Sequence, residues 1–442
     1  MALGGVFMTD TDGNIGSEVS VLTEKVCGLV FDISAHSDIW TTGVGVELKD
    51  KLEGNVIELN RLEDAVELGI TPYTGKSGDD GASEDFLCGI PYYHIDHFFK
   101  LAGGSGRLFI MFADCSTNWN ALIDMQKAAN GIINQIGVWT EQKLWVKPDE
   151  TASQYSISLI GSLQSVAEDL ANNYFAPVSI LLCANTAKVE VGGTTQDTIV
   201  FSEIPTCITG ARYVTALLSQ GMDVNVANMQ MALESKTPVG TVGAALGILT
   251  RASVAESIGW VQQFDLVSYF PDIEFGFGDV SVENGKIKNS TKYSSLSSVQ
   301  LNTLADLGYV FLMKYAGLEG HVYFSGDSTC SSEDYRTIAR NRVINKSRRL
   351  VRTALLPYVN SPVKVDPTTG RLSAAKITEF VNLISEVLRA METAGEISGF
   401  SGPYIPANQN ILKNDALQIQ YALIPVGTAQ KIYVTEGLTL KQ

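Results

Sequence analysis

Residues 92–114 read YYHIDHFFKLAGGSGRLFIMFAD, and they set the class of fold. Tyr93 to Leu101 carries apolar side chains at helical spacing, and Gly103-Gly104-Ser105-Gly106 makes a turn. Arg107–Ala113 is then an apolar run of strand length. A run without polar alternation belongs in a sheet covered on both faces, the sheet of an α/β unit. Working outward, strands are predicted at Val26–Ile33, Ser156–Ile160, Val178–Cys183, Thr198–Phe201, Phe264–Tyr269 and His321–Phe324. Helices are predicted at Leu48–Leu68, Asn118–Asn130, Ser162–Tyr174, Ala211–Ser219, Val242–Ile258 and Ser297–Tyr315. Gly75–Ser83 and Glu190–Gln196 read as surface loops, and Asp279–Thr291 as a hairpin.

The chemistry of enzymes is missing from the patterns. His94-Ile95-Asp96-His97 has a metal-like spacing, but beside Phe98, Phe99 and Leu101 these are expected to be packed or surface histidines. Tyr73-Thr74-Gly75-Lys76-Ser77 resembles the end of a phosphate loop, yet Ile70 stands where that motif needs glycine. Gly103–Gly106 precedes a strand instead of following one, so it is no dinucleotide fingerprint. No GxSxG occurs, and only His36, His94, His97 and His321 are available as imidazole bases. The expectation is a non-enzyme with no catalytic residue, no metal and no cofactor.

Composition agrees with a soluble globular chain: 442 residues, 45% hydrophobic, 18% charged, with room for about three domains. MALGGVFMTDTDG has no signal-peptide pattern, and no membrane-length apolar run occurs. The cysteines (Cys27, Cys88, Cys115, Cys183, Cys207, Cys330) form no CxxC and are expected to be buried free thiols. The net charge of -16 is unevenly laid out: residues 331–442 hold 14 Lys and Arg against 9 Asp and Glu. An acidic body with a basic end suits copies that pack around or against an acidic object.

The basic end centres on residues 334–358, DYRTIARNRVINKSRRLVRTALLPY. Between Tyr335 and Pro357 it carries seven Lys or Arg and no acid. On a helix, Ala339, Val343, Ile344, Leu350, Val351 and Ala354 share one arc, with Arg342, Lys346, Arg348, Arg349 and Arg352 opposite. No Asp or Glu lies three or four residues on from any of the five, so the helix does not neutralise itself and an external acidic surface is expected. A second amphipathic helix is predicted from about Ser373 to Ala394, with strands at Gly402–Ile405 and Leu417–Ile424. These make a small α+β unit. Both chain ends read as extended: Ile15, Val19 and Val21 at one, Ile432, Val434, Leu438 and Leu440 at the other, free to pair with a neighbour's sheet.

Four segments together resemble the tail sheath proteins of contractile phage tails and phage-like injection systems, most of all compact prophage sheaths. They are residues 92–114, the basic helix from Asp334 to Ile344, Val365–Arg389, and Leu417–Val434. The resemblance implies an N-terminal arm (1–25), an outer α/β region (26–325), a tube-facing C-terminal domain (326–428) and a C-terminal arm (429–442). It implies hexameric rings stacked around an inner tube, strand exchange through the arms, and contraction that drives the tube through a target envelope. Arg342, Lys346, Arg348, Arg349 and Arg352 would face the tube. The expected partners are further copies of the chain, the inner tube protein, a baseplate and a tail terminator, without nucleic acid or membrane. The expected place is a virion tail or injection particle, assembled in the bacterial cytoplasm. A nucleic-acid-binding virion protein using the basic helix and an α/β hydrolase-like enzyme stand as alternatives.

Overall fold

The computed structural model describes residues 24–35, 49–72, 82–104, 106–146, 155–186, 190–191, 194–195, 204–220, 239–270, 273, 275, 280–283, 286–289, 293–406, 409 and 417–436. Its centre is a six-stranded sheet: β1 (Val26–Asp32), β2 (Ile57–Leu59), β3 (Arg107–Ala113), β4 (Gln135–Lys143), β5 (Ser179–Asn185) and β6 (Val214–Leu217). The order is β6-β5-β4-β1-β3-β2, parallel throughout except for β2 against β3. All seven residues of β1 are buried, as its uninterrupted apolar run requires.

Helices cover both faces. On one, Leu29, Phe31, Leu108, Ile110 and Phe112 pack with α2 (Ala82–Ala102) and α5 (Val242–Arg251). On the other, Val30, Ile136, Val138 and Leu182 pack with α3 (Asn120–Ala128) and α4 (Ile160–Asn172). The α2–α5 contact is close because Gly243 and Gly247 of α5 lie against the His94 and Phe98 carbonyls of α2. The α/β reading of residues 92–114 therefore holds, with the helix longer than predicted and β3 at the predicted bounds.

Several predicted elements are corrected. Ala211–Ser219, read as a helix, contains the edge strand β6. Leu48–Leu68 is broken: β2 interrupts it, and α1 (Leu62–Glu67) follows. Phe264–Tyr269 forms no strand: Phe264 and Leu266 are buried, and the Leu266 amide donates to the Val322 carbonyl at 2.8 Å before the chain turns. Ser297–Tyr315 ends early, as α6 (Ser298–Asp306), and then pairs through Leu312–Met313 with Tyr323–Phe324. The central strand β4 was not predicted. The hairpin is present as Val280–Glu283 against Lys286–Asn289, and Thr198–Phe201 lies outside the described residues.

The C-terminal part joins α7 (Ile338–Leu355) and α8 (Ala374–Thr393) to a two-stranded ribbon, Ile397–Tyr404 against Gln420–Pro425. Val343 and Val351 of α7 meet Ile384, Leu388 and Met391 of α8 and Ile397 of the ribbon. The molecule is thus α/β with an α+β end. The five described cysteines are buried free thiols, and burial pushes Cys27 and Cys183 up to about 12.

Candidate functional site: the basic helix and the chain ends

Helix α7 starts at Thr337, whose hydroxyl accepts from the Arg340 amide. The carbonyl of Asp327 accepts from the Ile338 amide, and its buried carboxylate lies at the same helix end. Burial pushes that carboxyl above the usual carboxylate range. The helix then passes between two bodies. Its apolar side meets α8 and the ribbon. Its other side, predicted to be open, meets the loop after α5 and the approach to β5.

The expectation of one exposed cationic face is corrected on this geometry. Arg342 is 1% exposed. It donates to the carbonyls of Leu249 (2.8 Å), Ser253 (3.0 Å) and Ala252 (3.2 Å), closing the carboxyl end of α5. A buried guanidinium at a helix carboxyl end satisfies carbonyls that the helix cannot. Arg349 is also buried, with both oxygens of Glu24 at 2.6 Å and the Pro177 carbonyl at 3.1 Å. Lys346 pairs with Glu396, itself largely buried. The acidic partners are therefore present, but they come from the same chain at distant positions.

Of the two remaining cations, Arg348 is half-buried and Arg352 exposed. Arg348 donates to the Tyr213 hydroxyl at 2.8 Å, which also accepts from Arg212 at 2.6 Å. Arg352 is exposed and stacks over the Phe175 ring at 4.2 Å. Their recorded partners here are aromatic side chains, and the ion pairs of α7 among the described residues are those of Lys346 and Arg349.

Of the predicted pairing residues, Ile15, Val19, Val21, Leu438 and Leu440 lie outside the described residues. Ile432 and Val434 are described. Beyond Pro425 the chain runs to residue 436 without joining a strand, with Ile432, Tyr433 and Val434 80%, 87% and 82% exposed. Three consecutive apolar side chains held in water are unusual for a finished surface.

The places where an α/β fold keeps an active site are otherwise occupied. Asp32, at the carboxyl end of β1, accepts from the amides of Ser34 and Cys115, the Thr140 hydroxyl and the Gln142 amide. It ties strand ends together. His94 and His97 are packed in the core, where His97 Nδ1 lies 2.6 Å from the Tyr93 carbonyl. Burial lowers His94 to about 3, with His97 adding to the shift. A cleft of about 730 Å³ between the loop 253–261, Tyr315 and residues 426–430 has Glu256 and Tyr315 as its ionisable lining, which makes no acid–base or nucleophile set.

The sequence matches the DUF2586 N-terminal domain over residues 3–328 and the DUF2586 C-terminal domain over residues 334–442. A search of curated proteins finds none that matches. Among solved structures, the chain is similar to the contracted helical sheath of the anti-feeding prophage, at a TM-score of 0.53 and 14% identity over 100% of both chains. A chain of that particle's sixfold-symmetrised baseplate gives the same values. The contracted sheath complex of an extracellular contractile injection system, PVC, gives a TM-score of 0.53 at 12% identity, over 100% of this chain and 98% of that one. With both domain matches together spanning nearly all of its length, the chain belongs to the DUF2586 family, and its fold is that of contractile sheath subunits.

Proposed function

We propose that this chain is the structural subunit of a contractile sheath, and not an enzyme. Copies stack as hexameric rings in a helix around an inner tube, and contraction of the stack drives the tube through a target envelope. The particle carries a baseplate and a terminator, and is assembled in the bacterial cytoplasm. The observation that carries this reading is the full-length likeness to sheath subunits. The exposed run Ile432-Tyr433-Val434 supports strand addition to a neighbour, because an unpaired apolar strand gains both backbone hydrogen bonds and burial by joining a sheet. Ile15, Val19 and Val21, with Leu438 and Leu440, serve the same purpose from the remaining parts of the two ends.

Contact with the tube falls to the exposed Arg352, with the half-buried Arg348 beside it on the basic helix. An exposed ion pair is worth only ~0–1 kcal/mol and is screened within ~8 Å. One subunit therefore holds the tube weakly and releases it readily, while many copies hold it together. The nucleic-acid alternative loses three of its five cations to internal partners. The test is removal of residues 429–442. The shortened chain should sediment as a folded monomer under conditions in which the full chain forms large polymers. Polymers of normal size from the shortened chain would remove the C-terminal end from the assembly contact.

A further inference from the structure

Arg349 and Glu24 form the most enclosed ion pair recorded on the basic helix, with side chains 7% and 11% exposed. Neither is where a merely solvated charge would be. Glu24 is the first residue that the structure describes. One residue later the Lys25 carbonyl accepts from the Arg107 amide at 3.1 Å, and β1 begins at Val26. Lys25 and the strand that follows it are held by the sheet. Glu24 is held by α7 instead, through two contacts to one guanidinium whose other nitrogen is fixed on the Pro177 carbonyl.

The opposite end of the chain is fixed to the same helix at nearly the same level. Tyr421, in the last strand before the C-terminal segment, lies 3.3 Å from the Ser347 hydroxyl, and Tyr421 and Leu423 pack in the cluster of Val343 and Val351. Ser347 and Arg349 are two positions apart. Residues 425–430 then run past the start of α7, beside Arg336, Arg340 and Val343.

We propose that Arg349 is a positioning residue that anchors Glu24 at the entry to β1, and that α7 is a crosspiece to which both Glu24 and the last ribbon strand are fastened. Pull on Glu24 then reaches α7 and the ribbon as well as β1, to which it is covalently joined. The load-bearing part rests on the sheath reading above; the anchor itself does not. A guanidinium pair with two oxygens, shielded from water and salt, suits such a task better than an exposed pair, which salt and entropy loosen.

Limited trypsin digestion of the full-length soluble chain tests the anchor without assembly. Lys25 is exposed and is the first lysine or arginine in the sequence; cleavage after it needs Glu24 and the start of β1 to open together, so its rate reports how firmly that junction is held. In Arg349→Met, cleavage after Lys25 should quicken by about tenfold or more, as expected for a locally opened segment. Hydrogen exchange in β4 and β5 should stay as in the wild type. If Arg349→Met folds poorly, Glu24→Gln is the milder variant and should quicken the same cleavage. Arg349→Lys should fall between the two. Unchanged cleavage in Glu24→Gln and Arg349→Met overturns the anchor. A variant cut faster after Lys25 should also fail to form polymers that the wild type forms. Normal polymers from such a variant overturn the load-bearing role, whereas a wild type that never polymerises counts against the sheath reading alone.

Discussion

At the scale of single residues, burial has made ordinary side chains into structural ones. Arg342 is the clearest case. Replacing it by methionine keeps much of the volume but leaves three carbonyls of the α5 end without their donor. The expected cost is about 3 kcal/mol, read from urea unfolding. Lysine at this position should recover only part, since an ammonium cannot span the same three oxygens. The buried histidines give a pH signature. His94 is held neutral in the fold, with a pKa of about 3 against 6.5 when unfolded. The unfolded chain therefore takes the proton first, and stability falls as pH drops below about 6.5. His97 is lowered in the same direction, mainly by burial. His94 should remove about 1.4 kcal/mol per pH unit once the unfolded form is protonated, and His97 acts in the same direction. Between pH 6 and pH 5, His94→Gln should reduce the slope of unfolding free energy by close to one proton. An unchanged slope would show that His94 titrates alike in both states.

At the scale of elements, the sequence is legible where an apolar pattern is long and its environment simple. β1 and β3 are buried on both faces and were found nearly to the residue, as were α3, α4, α7 and α8. β6 falls inside a predicted helix because VTAL is short and mostly apolar, and a run of that kind has no period to read. β4 was hidden by Gly137 and by its polar end TEQK. Gly137 is needed there: a Cβ would come within 2.7 Å of Val242 and Leu246 of α5. Arg342, Lys346 and Arg349 read as open in the sequence for a related reason. Charge pairing was sought three and four residues along the helix, whereas Glu24 and Glu396 arrive from distant parts of the chain. Helical spacing gives the face a residue lies on, not whether a second body covers that face. The α2–α5 contact yields a further prediction. Alanine at Gly243 would put a Cβ 2.1 Å from the His94 carbonyl oxygen, so the helices must separate. A loss of about 2 kcal/mol is expected in thermal or denaturant unfolding. The same change at Gly161, which has open space around it, should cost far less.

At the scale of the whole molecule, charge layout and shape point the same way. The chain is strongly acidic overall, yet its basic helix offers the exposed Arg352 beside the exposed Phe175, with Arg348 half-buried on Tyr213. In the sheath account these grip an acidic cylinder loosely, while the chain ends hold neighbouring subunits firmly. Reversing both charges, Arg348→Glu with Arg352→Glu, should leave the fold and the polymers of this chain intact. Particles from the host should then lose the inner tube from the sheath, and unchanged particles would assign these arginines to another contact. The most direct measurement is negative-stain electron microscopy of the purified full-length chain at assembling concentrations. The account predicts hollow cylinders with a regular axial repeat and sixfold end views; dispersed single molecules at every concentration and salt condition would contradict it.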